Sequence, residues 1–138
     1  MASLNLSEAE KIIEGAKAKI AGLSAGFCVA VVDARGDLIA MIRGDGAPWR
    51  SVYICQGKAA AAAAWGRPSG ELADNAQSPV SRGLMAMLDG RMIPGQGALP
   101  VYKNGELVGA VGGSGGPSQE DEDVARAGID FAGLSVSP

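Results

Sequence analysis

The chain has 138 residues, of which 47% are apolar and only 4% aromatic, and its net charge is −3. This length suits one domain over residues 1–138, with a core built from small side chains. The negative charge and the lack of a basic stripe exclude nucleic-acid binding through phosphate neutralisation. No apolar run approaches the ~20 residues of a membrane span, and residues 1–7 do not resemble a signal peptide. We therefore expect a cytoplasmic protein without membrane contact.

The sequence contains no histidine, which removes the most common general base, zinc ligand and haem ligand. Cys28 and Cys55 are its only cysteines, and each lies in an apolar pattern. Their spacing supports neither a disulfide framework nor a zinc site. We expect two buried free thiols and no bound metal.

A first helix is predicted from Ser7 to Ala21. The sequence Ser7-Glu-Ala-Glu10 has the pattern of a capping box, apolar residues then recur at helical spacing, and Gly22 offers a stop. An antiparallel hairpin is predicted next, from the strands Gly26–Asp33 and Leu38–Arg43.

The middle of the chain is predicted to be helical. Pro48 suits the first turn of a helix that contains six consecutive alanines and ends near Trp65-Gly66. Ser69 is expected to cap a short turn. The pair Ser78-Pro79 predicts a further helix that ends at about Leu88.

The last third is predicted to form a hairpin, a glycine-rich loop and a helix. Asn104-Gly105 is a strong turn signal between the strands Leu99–Lys103 and Glu106–Gly112. Gly112–Gly116 is predicted as a loop, and Ser118 as the cap of the final helix. The inner stripe of that helix is predicted to be Val124, Ala127, Phe131 and Ala132. This order of elements indicates an α+β fold, an antiparallel sheet covered by helices.

The glycine-rich segment is the first candidate site. Bare backbone N–H groups at Gly112, Gly113, Ser114 and Gly115 can hold an anion or stabilise a developing negative charge. A tight turn that needs positive φ is the alternative.

Two cationic and two aromatic side chains are further candidates. Lys58 lies beside an alanine-rich helical surface and can act as an acid or base in a dry pocket, or form a salt bridge. Arg43 can bind a carboxylate through two hydrogen bonds, or pair with Asp45. Trp49 and Tyr53 lie one helical turn apart, and can form a flat wall for a ligand or a core or subunit contact.

Some residues are haem-ligand candidates by type only. Tyr102 and Cys28 belong to this group, although both lie in strand patterns that look internal. Methionine is more often a packing residue, and we interpret the following four in that way: Met41, Met85, Met87 and Met92.

Several motifs follow one another in a fixed order and spacing: Val31–Leu38, Arg43–Pro48, Lys58-Ala59, Asn104–Gly115 and Asp121–Gly128. In these motifs the chain resembles the GlcG/HbpS family, which includes the C-terminal domain of PduO-type proteins and whose members are often described as haem-binding or haem-degrading. The resemblance covers nearly the whole chain. It departs from the family at the missing histidine and at Gly95–Pro100, where Gly-Gly-x-Pro is usual.

The resemblance implies a profilin-like fold, assembly into dimers or larger rings such as octamers, and ligand pockets near subunit contacts. It also implies a place beside enzymes of small-molecule catabolism. Haem is the cofactor that it suggests, although no histidine ligand is available.

Three hypotheses of function follow. In the first, a homo-oligomer holds haem or another planar anion through Arg43, Asp45, Trp49, Lys58 and the Gly112–Gly115 segment. In the second, a cofactor-free lyase or isomerase acts on a small carboxylate, with Lys58 and Arg43 as catalytic residues. In the third, the chain is a structural or sensory subunit without chemistry.

Overall fold

The computed structural model describes residues 2–138. Nine elements follow one another along the chain: α1 (Leu6–Ile20), β1 (Cys28–Asp33), β2 (Leu38–Arg43), α2 (Ser51–Trp65), a short 3-10 helix (Ser69–Asn75), α3 (Pro79–Met87), β3 (Ala98–Lys103), β4 (Glu106–Ser114) and α4 (Ser118–Phe131).

The four strands form one antiparallel sheet in the order β2-β1-β4-β3. Helices α1 and α4 pack against each other on one face, and α2 covers the other face. The predicted α+β fold is therefore confirmed. None of the helices formed by residues 2–138 has the length and apolar character needed to cross a bilayer.

The two faces of the sheet have different cores. Larger side chains fill the space under α1 and α4, among them Ile12, Phe27 and Leu99. Small side chains, such as Ala59 and Ala110, fill the space under α2. The alanine-rich α2 can therefore lie so close to β4 that a Cβ atom at Gly112 would overlap the carbonyl oxygen of Cys55.

Helix α1 begins earlier than predicted, because Asn5 and not Ser7 is its cap. The side chain of Asn5 accepts a hydrogen bond from the backbone N–H of Glu8, at 2.8 Å. The Glu8 carboxylate accepts one in return from the N–H of Asn5. This reciprocal pair satisfies two free N–H groups, and Ser7 is already inside the helix.

The predicted role of Ser69 as a cap is also wrong, whereas that of Ser78 is confirmed. Pro68 precedes the 3-10 helix as its cap. The Ser69 hydroxyl donates to the carbonyl of Gly95 at 2.6 Å and accepts from the N–H of Ala98 at 2.9 Å. The Ser78 hydroxyl accepts from the first turn of α3.

The glycine-rich segment differs most from its prediction. β4 continues through Ser114, so Gly112, Gly113 and Ser114 are strand residues and not a loop. Each of them pairs with β1. The N–H of Gly113 also donates to the carbonyl of Gly97 at 2.9 Å. Only Gly115, Gly116 and Pro117 separate this strand from α4.

The predicted inner stripe of α4 is confirmed in part: Val124 is buried and Ala132 packs against the same core, whereas Phe131 is not buried. Pro117 is the cap of α4, and Ser118 is its first residue. The α1–α4 crossing explains the difference, because Gly128 lies directly against the backbone of Ile12. The buried residues of α4 are Asp121, Val124, Ala125, Gly128 and Ile129.

Candidate functional site

Lys58 and Asp121 form a buried ion pair that links α2 to α4. The Lys58 Nζ atom lies 3.1 Å from Oδ2 of Asp121, and their side chains are 9% and 4% exposed. The ammonium also donates to the carbonyl of Gly113 at 3.3 Å. It passes Gly97, where a Cβ atom would lie 2.6 Å from it. Of the two alternatives predicted for Lys58, the structure shows the salt bridge.

The carboxylate of Asp121 has a second partner at the start of its own helix. Its Oδ1 atom accepts a hydrogen bond from the N–H of Gly116 at 3.1 Å. Burial raises the pKa of Asp121, while the N–H of Gly116 and the Lys58 ammonium act in the opposite direction. The glycine-rich turn therefore binds a carboxylate of this chain itself.

Arg43 and Asp45 lie at the far end of β2 from the β1–β2 turn, and both are exposed. Within residues 2–138 the structure contains no Arg43–Asp45 ion pair. Arg43 is opposite Cys28 of β1, whose side chain packs on the α2 face of the sheet. Lys58 makes its polar contacts with Asp121 and the carbonyl of Gly113 instead.

Trp49 and Tyr53 are 68% and 66% exposed, so neither belongs to the core. Their ring centroids are 6.3 Å apart and the rings meet edge to face, with an interplanar angle of 74°. Exposed aromatic pairs of this kind are typical of binding surfaces.

Tyr102 and Cys28, which were haem-ligand candidates by residue type, make contacts within the fold. The Tyr102 hydroxyl donates to the carbonyl of Gly66 at 2.8 Å. Cys28 and Cys55 are fully buried free thiols, as predicted. Burial raises the pKa of Cys55 to about 12 and that of Cys28 in the same direction.

A groove along the outer face of α2 was not found from the sequence, and we call it the α2 groove. It has a volume of about 470 Å³. Its floor consists of Gly57, Ala60 and Ala64 of α2, and Tyr53 stands at one end. The β1–β2 turn forms one side, and the segment between α3 and β3 forms the other.

Two arginines line this groove from opposite sides. Arg35 belongs to the β1–β2 turn and Arg91 to the segment before β3. The Nε atom of Arg91 donates to the carbonyl of Leu88 at 2.9 Å, which fixes its direction and leaves other N–H groups for a ligand. Asp33 orients the turn of Arg35, because its carboxylate accepts from the N–H groups of Arg35 and Asp37.

The sequence held only a weak signal for the groove. The motif Val31–Leu38 contains Arg35, but that arginine resembles an ordinary turn residue. Arg91 and Ile93 follow a helix end more than fifty positions later. A second and smaller groove, of about 310 Å³, lies between α2, the 3-10 helix and α3.

A family model described as "Haem degrading protein HbpS-like" matches residues 4–130. The chain belongs to this family. The resemblance to GlcG/HbpS proteins is thereby confirmed, and it extends through every helix and strand of the HbpS-like fold, with only the last residue of α4 outside the match.

Individual proteins are also similar to this chain over most of its length. An uncharacterised 15.0 kDa protein in the dhaT-dhaS intergenic region of Citrobacter freundii is 32% identical over 94% of this chain and 92% of its own. The crystal structure of a PduOC–haem complex superposes with a TM-score of 0.87 at 25% identity, over 99% of this chain and all of the other. A double mutant of HbpS from Streptomyces reticuli superposes with a TM-score of 0.81 at 30% identity, over 94% of this chain and 87% of the other.

Proposed function

We propose that this protein binds a flat, largely apolar molecule with carboxylate groups, of which haem is the first candidate, in the α2 groove. The observation that carries the proposal is the uncharged floor of Gly57, Ala60 and Ala64 between Arg35 and Arg91. The small side chains of Ala60 and Ala64 let a flat ring system approach closely, whereas the Ile93 side chain covers Gly57. Guanidinium groups bind carboxylates in a bidentate way. Most small-ligand sites combine an apolar pocket with a few such polar groups.

The relatives support the choice of haem. The PduOC structure, which covers the whole of this fold, is a complex with haem, and the matching family is described as haem degrading. The α2 groove has the two chemical properties that a porphyrin with carboxylate side chains requires.

The residues that line the groove include two of a type that binds haem iron. The phenol of Tyr53 is exposed at the end of the groove, and the thioether of Met92 lies in its wall. Because the chain contains no histidine, Tyr53 is the residue that we propose to hold the iron. Haem would supply the iron-centred chemistry, and this chain would supply binding, orientation and the iron ligand.

We further propose that the groove lies near a subunit interface of a homo-oligomer, between a dimer and an octamer, in the cytoplasm. Trp49 would extend the aromatic end of the groove, because it contacts Tyr53 and is itself exposed. Arg43 and Asp45 would face the neighbouring subunit.

Lys58 and the strand segment Gly112–Ser114 would support the floor of the groove from its buried side. Lys58 follows the floor residue Gly57 directly, and its ion pair with Asp121 fixes α2 against the end of β4. We therefore propose that Lys58, together with the turn at Gly115, positions the floor and does not touch the ligand.

Titration with haem tests the proposal through the Soret band. The wild-type protein is expected to shift and sharpen the band. Removal of a hydrogen-bonding arginine costs about 1.5–3 kcal/mol, so Arg35→Ala and Arg91→Ala should each weaken binding about 10- to 100-fold. Arg126→Ala is the matched control, because Arg126 lies on α4 and faces Glu122. An unchanged spectrum with wild type, or equal loss in the control, would contradict the proposal.

A pair of variants in the floor tests the location independently. Ala64 is exposed, so a longer side chain there reaches the groove and leaves the core intact. Ala64→Glu should repel the carboxylates and abolish binding, whereas Ala64→Gln has the same size without the charge and should bind more strongly than Ala64→Glu.

The iron ligand has its own test. Tyr53→Phe should alter the spectrum and weaken the binding of haem, but leave the binding of metal-free protoporphyrin unchanged. Equal effects on both ligands would show that Tyr53 only packs against the ring.

We do not extend the proposal to lyase or isomerase chemistry. The ammonium of Lys58 is withdrawn from solvent and donates to two acceptors of the protein, so a substrate would have to displace the Asp121 carboxylate to use it. Should no haem or porphyrin bind, the hypothesis of a structural or sensory subunit would be favoured.

A further inference from the structure

Helix α3 differs from the other helices of residues 2–138, because it has no fully buried residue. Its apolar contacts come from Leu84, Met85 and Leu88, which are half-buried. The cluster that these side chains contact consists of Ala61, Leu72 and Met92. Val80 and Met87, on the same helix, are 69% and 83% exposed. A narrow apolar stripe therefore holds α3 in place.

Neither a hydrogen bond nor an ion pair ties α3 to another element in the part of the chain that the structure describes. The hydrogen bonds of residues 79–92 all end within residues 78–92. Arg82, Asp89 and Arg91 are charged, but none of them belongs to an ion pair. Apolar contact alone therefore fixes the position of α3.

The chain is fixed by polar contacts on both sides of this segment. Before it, the buried hydroxyl of Ser69 bonds to the backbone of Gly95 and Ala98. After it, the N–H of Ile93 donates to the carbonyl of Gly57 at 2.9 Å. A weakly held helix between two fixed points can move without disturbing the sheet or α2.

The two connections of α3 are suited to such a movement. After the helix, Asp89 and Gly90 have φ values of 55° and 73°, so two successive residues have left-handed backbone. No atom lies within 4 Å of the position of a Cβ atom at Gly90, so the chain has room there. Before the helix, the three residues Ala76–Ser78 form the connection to the 3-10 helix. Hinges are commonly a few residues of this kind at the ends of elements.

Helix α3 and its C-terminal connection border both grooves. Leu88, Gly90 and Arg91 line the α2 groove. The second groove is lined from α3 by Ser81 and Met85. Met92 lines both grooves and also belongs to the cluster under α3. The contacts that hold α3 in place therefore also separate the two grooves.

The position of α3 also sets the direction of a carboxylate-binding group. The Nε atom of Arg91 donates to the carbonyl of Leu88, the residue that directly follows α3. Both residues line the α2 groove. A ligand in the groove can therefore contact Leu88 and the Arg91 guanidinium together while α3 is closed. A ligand that makes these contacts favours the closed position.

We propose that α3 is a lid of the α2 groove. It turns outward about Ala76–Ser78 and Asp89-Gly90, admits a flat ligand with carboxylate groups, and closes on that ligand with Leu88 and Arg91. The open position removes the separation between the two grooves, so the entrance becomes wider than the α2 groove alone. The movement is argued from the contacts of α3 only, whereas its role in ligand binding rests on the proposed function.

Thiol alkylation tests the movement. Ala61 is fully buried under α3, so iodoacetamide reaches the thiol of an Ala61→Cys variant only when α3 opens. Ala62→Cys is the matched control, because Ala62 is equally buried on α2 but packs against the sheet. Local opening needs less free energy than global unfolding, so Ala61→Cys should react on the order of 100-fold faster. Mass spectrometry measures both rates, and the buried Cys28 and Cys55 are common to both variants.

Equal rates in the two variants, at the rate of global unfolding, would overturn the lid. Leu72→Cys serves if Ala61→Cys does not fold, because Leu72 belongs to the same cluster under α3 and cysteine is smaller than leucine. Its thiol should also react faster than that of Ala62→Cys.

Two methionines of α3 test which contacts hold the lid. Met85 packs against the cluster, whereas Met87 is exposed. In the Ala61→Cys background, Met85→Ala should raise the alkylation rate about 3- to 30-fold, because opening then breaks fewer apolar contacts. Met87→Ala should leave the rate unchanged. Equal effects of the two substitutions would contradict a lid held by the apolar stripe.

Metal-free protoporphyrin separates this inference from the proposed function, with binding followed by its fluorescence. At about ten times its dissociation constant, it should slow the alkylation of Ala61→Cys about tenfold, because it binds the closed position. Binding without slower alkylation would support the proposed function and overturn the closure of α3 on the ligand. Fast alkylation without any binding of protoporphyrin would support the movement of α3 and contradict the proposed function.

Discussion

The Lys58 ammonium and the Asp121 carboxylate meet at 3.1 Å past the end of β4, although the two residues belong to helices on opposite faces of the sheet. This contact connects helix α2, which forms the floor of the α2 groove, to the α1–α4 layer. It also explains why a lysine is found among the buried residues of an alanine-rich helix.

Removal of one partner of this pair is expected to destabilise the fold strongly. Lys58→Met leaves the Asp121 carboxylate buried without its cation, which typically costs about 3–5 kcal/mol in the free energy of unfolding. The double variant Lys58→Met/Asp121→Leu should lose less than the sum of the two single variants. Urea denaturation of all four proteins measures this coupling. Additive losses would show that the two charges do not depend on each other.

The titration of Asp121 should make the free energy of unfolding depend on pH, and the direction of that dependence follows from the raised pKa. Burial raises the pKa of this carboxyl above its ordinary value of 3.8, so the folded state binds its proton more tightly than the unfolded state. The contribution of this group to stability is therefore greatest below the ordinary pKa and falls as the pH rises through the raised pKa.

Comparison with Asp121→Asn isolates this effect. The difference in unfolding free energy, wild type minus variant, should fall with rising pH in the acid range and be constant near neutrality. Urea curves from about pH 3.5 to about pH 7 measure it. An increase of the difference with pH would show that the Lys58 cation outweighs the burial.

The two thiols are expected to be inert in the folded protein. Both are buried, and burial raises the pKa of Cys55 to about 12, so almost none of it is thiolate near pH 8. A disulfide reagent such as Ellman's should react with them only at the rate of unfolding. Both thiols should react at once in urea, and fast reaction without denaturant would contradict their burial.

Substitution of Gly112 and of Gly83 by alanine compares a tightly packed glycine with a glycine in open space. A Cβ atom at Gly112 would overlap the carbonyl oxygen of Cys55, so Gly112→Ala must push α2 away from β4 and should lower the melting temperature. Gly83 lies inside α3 with open space around its Cβ position, so Gly83→Ala should stabilise the fold by about 0.4–1 kcal/mol. Equal effects in thermal melts would contradict the close contact.

Local patterns were sufficient for most of the elements. The turn residues Asn104-Gly105 and the capping pair Ser78-Pro79 act on their immediate neighbours, and the structure confirms both. The cap at Asn5 was missed because Ser7 heads an equally good local pattern. The inner stripe of α4 was predicted only in part because the close approach of Gly128 to Ile12, which no local pattern shows, determines which stripe faces inward.

The candidate site was predicted less completely than the fold. Trp49 and Tyr53 were predicted as a wall for a ligand or as a core or subunit contact, and the structure excludes the core because both rings are exposed. The sequence did not indicate the groove beside them, because Arg35, Ala64 and Arg91 share no spacing along the chain.

The sequence by itself determined the order of helices and strands, the two hairpins, the α+β class and membership of the HbpS-like family, because apolar periodicity, turn residues and motifs are local properties. Only the tertiary structure decided that Lys58 forms an ion pair with Asp121, that the glycine-rich segment continues β4, and that two distant arginines line one groove. These features depend on which distant segments pack together. That choice is made by the close approach of backbones at small residues, and spacing along the chain does not encode it.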